Sequence, residues 1–217
     1  MIRFASVTKT FPNGKTALKQ ISFEIADGEM VGIIGPSGSG KTTILRLLIN
    51  EIIPTEGEIS VDDFQVHKLN RKKLPQLRRT IGSVFQDYKI LTDRTVAENV
   101  GLILEILDLP DKEIAEKVTN ALEMVGLSKT EDLFPAQLSG GELQRVAIAR
   151  AMAMSPKILF ADEPTGNLDS VTAKQISKIL KEINGRGTTV IIATHDKGVL
   201  DFIKPRILQL EAGELIL

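Results

Sequence analysis

Eight consecutive residues, Gly35-Pro36-Ser37-Gly38-Ser39-Gly40-Lys41-Thr42, follow the spacing G-x-x-x-x-G-K-[ST]. Glycine at these places lets the backbone wrap closely, so successive N–H groups can point inward at phosphate oxygens. A helix starting near Lys41 adds the positive end of its dipole. In such a loop the Lys41 ammonium reaches the β and γ phosphates, and the hydroxyl of Thr42, followed by Thr43, ligates Mg²⁺. The chemistry implied is capture of a nucleoside triphosphate with its metal.

A triphosphate site of this kind also needs a carboxylate at the end of an apolar strand. Ile158-Leu159-Phe160-Ala161 leads into Asp162-Glu163. Asp162 is expected to hold Mg²⁺ through water. Glu163, one residue on, stands at the strand edge where open α/β sheets bind ligands. It is the candidate to polarise the attacking water. An acidic pair after a strand is, by itself, more often a solvated loop; the phosphate loop gives it a chemical reading.

A second anion site is suggested further along, in Leu138-Ser139-Gly140-Gly141-Glu142-Leu143-Gln144-Arg145. Ser139 and the N–H groups of Gly140 and Gly141 open a helix, where a negative group is favoured.

The elements that must position these residues are legible in outline. Met30 to Ile34 is a short apolar run of the sort buried on both faces of a parallel sheet. Lys41 to Asn50 reads as a helix with Ile44, Leu45 and Leu48 on one side. Short strands are expected over 2–7, 18–25, 58–61 and 81–85. Thr95 is a plausible N-cap, followed by Val96, Val100, Ile103, Leu104 and Leu107 at helical spacing. Pro110-Asp111 breaks that helix. Ile114, Val118, Leu122 and Val125 make another, ended by Gly126. Residues 87–137 therefore look like a helical insertion between residues 1–86 and 138–217. Helix 139–153, strand 157–161, helix 170–184 and strand 188–193 follow, with two short strands near 207–210 and 214–216. Strands alternating with helices imply an α/β fold around a largely parallel sheet covered on both faces.

Composition narrows the field. The chain has 217 residues, 42% hydrophobic and 25% charged, a globular mix. It has no cysteine, which excludes a disulfide, a thiolate nucleophile or a cysteine metal site. Its 27 basic and 28 acidic side chains leave a net charge of -1, which does not suggest nucleic acid as a partner. The longest apolar stretch, Val100 to Leu109, is broken by Glu105 and Asp108 and falls short of the roughly 20 residues a membrane span needs. The N-terminus lacks the pattern of a signal peptide. The chain is expected to be cytoplasmic, with membrane contact only through a partner. Arg71-Lys72-Lys73 with Arg78-Arg79 form a basic stretch, readable as a solvated face or as a contact for anionic headgroups. His67 reads as a surface residue.

The segment Leu138 to Glu142 resembles the LSGGQ or LSGGE signature of the ATP-binding-cassette ATPases, and the resemblance spans Ile2 to Leu217. It implies a P-loop NTPase fold with a mostly parallel core sheet, an antiparallel β subdomain and the helical insertion. By that resemblance Gln86 is the glutamine that ligates or relays to Mg²⁺ and faces a membrane partner. Asn167-Leu168-Asp169 is the loop that touches an opposite subunit, and His195 is the histidine that contacts the γ-phosphate. Taken alone, His195 is as compatible with a surface or core histidine. Phe11 stands where the family places a Tyr that stacks on adenine, worth about 1–3 kcal/mol for an aromatic face; it is also readable as a core residue. The implied active form is a head-to-tail homodimer hydrolysing ATP with Mg²⁺, each ATP held by the phosphate loop of one copy and Ser139-Gly140-Gly141-Glu142 of the other.

Several segments resemble the cell-division branch of that family: Met1 to Phe4, Leu77 to Gly82, Phe85 to Asp87, Leu91 to Val96 and Asp162 to Asp169. This implies an FtsX-like integral membrane partner, with Gln86, Ile90 and Leu91 beside the groove that receives it. Ile90 and Leu91 are equally readable as packing for the insertion. A lipoprotein, peptide or macrolide exporter subunit is the alternative. Leu138 to Glu142 speaks against a nucleotide kinase or GTPase, and no Asn-Lys-x-Asp guanine motif is present. A clamp on DNA or ribosomes would need a coiled-coil insertion or a second cassette.

Overall fold

The structure, a computed structural model, describes residues 1–216; Leu217 lies outside the described residues. The chain opens with three strands, β1 (Ile2–Thr10), β2 (Thr16–Ile25) and β3 (Met30–Ile34), and then helix α1 (Lys41–Leu48). Strands β4 (Glu56–Val61) and β5 (Phe64–Gln65) precede a short helix, α2 (Leu74–Arg79), and strand β6 (Ile81–Val84). Helices α3 (Val96–Ile106), α4 (Asp111–Met124) and α5 (Gly140–Met152) come next. The chain continues through β7 (Ile158–Asp162), α6 (Ser170–Gly185), β8 (Thr189–Thr194), α7 (Lys197–Ile203), β9 (Arg206–Glu211) and β10 (Glu214–Ile216).

Two sheets result. The smaller has the order β2-β1-β4-β5 and is antiparallel. The larger has the order β10-β9-β3-β8-β7-β6. Its strands from β9 to β6 run parallel, and β10 pairs antiparallel at one edge. Strands β7 and β8 are buried along their whole length, because both faces of the sheet are covered. On one side lie α3, α4, α5 and α6, sharing a core of Val100, Leu122, Val146, Ile148, Leu159 and Ile192. On the other, α1 is clasped between the two sheets by Phe4, Ile33, Leu45, Ile59, Phe160 and Ile191. Phe4 stacks on Phe23 with ring centroids 4.5 Å apart, a pairing worth about 0.5–1.5 kcal/mol beyond its burial.

Helix starts are set by side chains. Thr95 and Glu98 form a reciprocal capping box on α3, and Ser139 and Glu142 form another on α5. Asp169 caps α6 through Val171 and Thr172, and Asp196 caps α7 through Gly198. Strand β5 and helices α2 and α7 carry no expectation from sequence. Helix α2 occupies part of the basic stretch, where Arg78 Nε donates to the carbonyl of Ile49 at 3.1 Å. Helix α7 follows His195 by one residue, its N-cap Asp196. The β9–β10 hairpin turns back onto β2, where Lys19 N donates to the carbonyl of Gly213 at 2.8 Å.

Candidate functional site

Strand β3 ends at Ile34, and the next residues fold over the start of α1. Gly35 is pressed against β9: a Cβ there would lie 2.1 Å from the Leu210 carbonyl oxygen and 2.6 Å from Ser39 Oγ. Only glycine permits that approach. The Lys41 side chain turns back into the loop, its Nζ donating to the carbonyls of Gly35 at 2.7 Å and Pro36 at 3.2 Å. This ammonium is 7% exposed, so its charge is felt strongly inside the loop.

Parallel strands put the next groups alongside. Strand β7 delivers Asp162 and Glu163 to the same edge. Thr42 Oγ1 donates to Asp162 Oδ2 at 2.7 Å. The second oxygen, Asp162 Oδ1, is buried without a partner. Burial pushes the Asp162 carboxyl above its ordinary range, with the Thr42 hydrogen bond opposing. Glu163 adopts φ of 49°, a left-handed conformation that bends the chain off the strand. Its carboxylate meets four groups, on three residues, at once. Oε2 accepts from Thr194 Oγ1 at 3.0 Å and from His195 N at 3.4 Å. Oε1 lies 2.9 Å from His195 Nδ1 and 3.4 Å from Lys41 Nζ.

A cleft of about 390 Å³ opens over these residues. It is lined by Pro36, Ser37, Gly38, Gly40, Lys41, Thr42 and Thr43, by Gln86, Glu163 and His195, and by Phe11, Lys15 and Ala17 at one end. Phe11 is thus at the mouth of the cleft, with Lys9 Nζ 5.4 Å from its ring centroid. Gly35, Ser39 and Asp162 do not line the cleft; Asp162 is linked to it through the hydrogen bond from Thr42.

Ser139, Gly140, Gly141 and Glu142 do not line this cleft. They line a separate hollow of about 240 Å³ with Asn167, Leu168, Asp169 and Thr172. A Cβ on Gly141 would lie 2.4 Å from Thr172 Cγ2, so glycine lets α5 start tight against α6. The cap is filled from within: Ser139 N and Oγ donate to Glu142 Oε2 at 2.8 and 2.6 Å. The Ser139 hydroxyl holds the Glu142 carboxyl below its ordinary range.

Comparison with known proteins fits this pair of half-sites. The family model described as ABC transporter matches residues 18–166.

The chain belongs to the ABC transporter family.

Among curated relatives, the cassette is 44% identical over 216 residues to the cell division ATP-binding protein FtsE of Bacillus subtilis (strain 168), covering 100% of this chain and 95% of the relative. It is 46% identical over 217 residues to FtsE of Mycobacterium tuberculosis (strain ATCC 25618 / H37Rv), covering 100% and 94%. Among solved structures, it matches an ATP-binding cassette in a dimeric post-hydrolysis state bound to ADP and Pi, with a TM-score of 0.90 and 40% identity over 100% and 97% of the two chains. The α/β P-loop NTPase fold and an ATPase of this family are therefore shown. Among the described residues no helix of the cassette is long and apolar enough to cross a membrane.

Four contributors to the cassette's geometry have no motif of their own. Thr194 hydrogen-bonds Glu163, and its place just before His195 at a strand end was the available signal. Lys15 lines the cleft from the β1–β2 turn. Asn99 and Arg150 hold the loop after Gln86, and nothing in their surroundings in the sequence marks them.

Proposed function

We propose that this cassette is the ATP-binding and hydrolysing subunit of a membrane ABC complex that acts in cell division through an FtsX-like integral membrane partner. The observation carrying the ATPase half is the Glu163 carboxylate, 9% exposed and fixed between Lys41, Thr194 and His195 at the rim of the phosphate loop. The division half rests on the FtsE relatives, which match the chain from end to end.

The residues fit Mg²⁺. A hydroxyl, a buried carboxylate with one unpartnered oxygen and a side-chain amide are hard oxygen donors at one edge of the cleft. Thr42, Asp162 and Gln86 would hold it, Asp162 through water. When bound, it neutralises charge across the β and γ phosphates.

Lys41 and the amides of residues 36–42 bind and orient the triphosphate. Phe11 offers its ring face to the adenine. Glu163 accepts a proton from water as the water oxygen bonds the γ-phosphorus and the bond to the ADP oxygen breaks. His195 and Thr194 hold that carboxylate in one place, which limits reorganisation during the step.

One chain keeps its Ser139–Glu142 half-site away from its own phosphate cleft. A second copy, turned head to tail, supplies it, so the working form is a homodimer closed by ATP and opened by hydrolysis. Residues 87–137 form the unit next to Gln86 that faces the membrane partner. Leu91, 38% exposed, offers it apolar contact. The protein then sits peripherally on the cytoplasmic side of the membrane.

The test is genetic and biochemical together. Depletion should give filamentous cells, and a tagged Glu163→Gln protein should retain a four-span membrane protein on pull-down with ATP. Normal division with lipoprotein mislocalisation or drug sensitivity would move the reading to export.

A further inference from the structure

Arg150 lies in the last turn of α5, at the far end of that helix from Ser139. Its Nη1 donates to the carbonyl of Lys89 and its Nη2 to the carbonyl of Tyr88, both at 2.6 Å. One guanidinium reaches both carbonyls because Tyr88 and Lys89 have φ of 57° and 51°, two successive left-handed residues that are not glycine. Such a pair persists only where surrounding structure enforces it. Burial alone depresses the Arg150 pKa, and no carboxylate offsets it. A charge desolvated to bind two carbonyl dipoles is there for geometry.

The rest of the loop is tied to α3. Asn99, fully buried, donates to the carbonyls of Leu91, Arg94 and Thr95 and accepts from Leu91 N. The Tyr88 ring reaches the other end of α5: its hydroxyl would be 3.7 Å from a Cβ on Gly140. Two residues upstream, Gln86 lines the phosphate cleft. The peptide between Gln86 and Ile90 is thus tied to α5 by the Arg150 guanidinium, with the Tyr88 hydroxyl near Gly140.

We propose that Arg150 is a positioning residue that ties Gln86 to α5, so that a shift of this helix when its N-terminus engages the partner copy's nucleotide moves Gln86 in the phosphate cleft. This rests on the roles given above to Gln86 and to Ser139–Glu142.

Tyr88 is the only tyrosine, and there is no tryptophan. Intrinsic tyrosine emission therefore reports on this peptide alone. In full-length Arg150→Gln, with an unchanged circular dichroism spectrum, acrylamide quenching of Tyr88 should rise about twofold or more, as a released loop exposes its ring. ATP affinity should stay within about twofold while kcat falls about tenfold, a split that general destabilisation does not give. In a Gln86→Ala background, Arg150→Gln should have no further effect on kcat. If Arg150→Gln does not fold, Arg150→Lys, able to satisfy one carbonyl at a time, should give intermediate values of the same readouts. Unchanged Tyr88 quenching, or effects of Gln86→Ala and Arg150→Gln that multiply, would overturn the tether. A Gln86→Ala protein with parental kcat would instead remove the role of Gln86, and Tyr88 quenching would still decide whether Arg150 holds the loop.

Discussion

His195 Nδ1 lies 2.9 Å from Glu163 Oε1. The histidine ring is mostly exposed and the carboxylate is buried, so one contact links the solvent-facing side of the cleft to a buried acid. Lys41 Nζ stands 3.4 Å from the same oxygen. The carboxylate proposed to take the proton from water is thereby held by Lys41, the residue proposed to grip phosphate, and by His195 at the rim.

Glu163→Gln keeps the size of this side chain and removes its basicity. Hydrolysis should fall by about 10²–10⁴ if the side chain takes the proton, with ATP binding preserved. Steady-state turnover beside equilibrium nucleotide binding checks this. Unchanged turnover would take Glu163 out of the role.

Lys41→Ala should weaken ATP itself. Loss of a charge-assisted contact to phosphate costs about 1.5–3 kcal/mol, or roughly ten- to a hundredfold in affinity. A fluorescent ATP analogue titrated against both proteins reads the difference, and equal affinities would refute the assignment.

Gly141→Ala should destabilise the packing of α5 on α6. The new methyl meets Thr172 Cγ2 at 2.4 Å, and overpacking of this kind costs about 1–3 kcal/mol. Adding Thr172→Ser removes the obstructing methyl and keeps the Oγ that bonds Asp169. The double variant should recover most of the lost melting temperature. If it melts as low as the single variant, the clash is not the cause.

Stability should fall in acid. The Arg206 hydrogen bond holds the Glu29 carboxyl below its ordinary range, and the N-terminal ammonium does the same for Asp62, helped by Lys157. Groups with depressed pKa values stabilise the fold above their unfolded values, and that stability is lost as pH falls through the folded ones. The midpoint of urea unfolding should therefore drop on going from pH 5 to about pH 3. Arg206→Gln with Lys157→Gln should flatten that slope. These contacts are partly exposed, so each effect is small and screened by salt.

What could be read beforehand was contiguous. The phosphate loop, the Asp162-Glu163 pair and the Leu138–Glu142 segment each lie within a few residues, with a strand or helix start as context. Thr95 and Ser139 announced their helices because a cap acts over three residues. Arg150 and Asn99 gave no such warning. Their partners, at Lys89 and Leu91, are carbonyls that any residue carries, and the pairing exists only after α3 and α5 are packed. Helix α2 was hidden by its composition: Leu77 is its only buried side chain, and its charges show no apolar face. Phe11 could be placed in the core or at the cleft by its type alone, and the β1–β2 turn decides where it sits.

The Leu210 carbonyl underlies Gly35, and the hairpin at Gly213 closes against β2. The phosphate loop is made well before the strand that underlies it. A ribosome adds about 5–20 residues per second, so a nascent chain carries the loop for many seconds before its support emerges. Competence to take up nucleotide should arrive abruptly, once β9 and its hairpin have emerged, which spares the cell half-made copies that trap ATP.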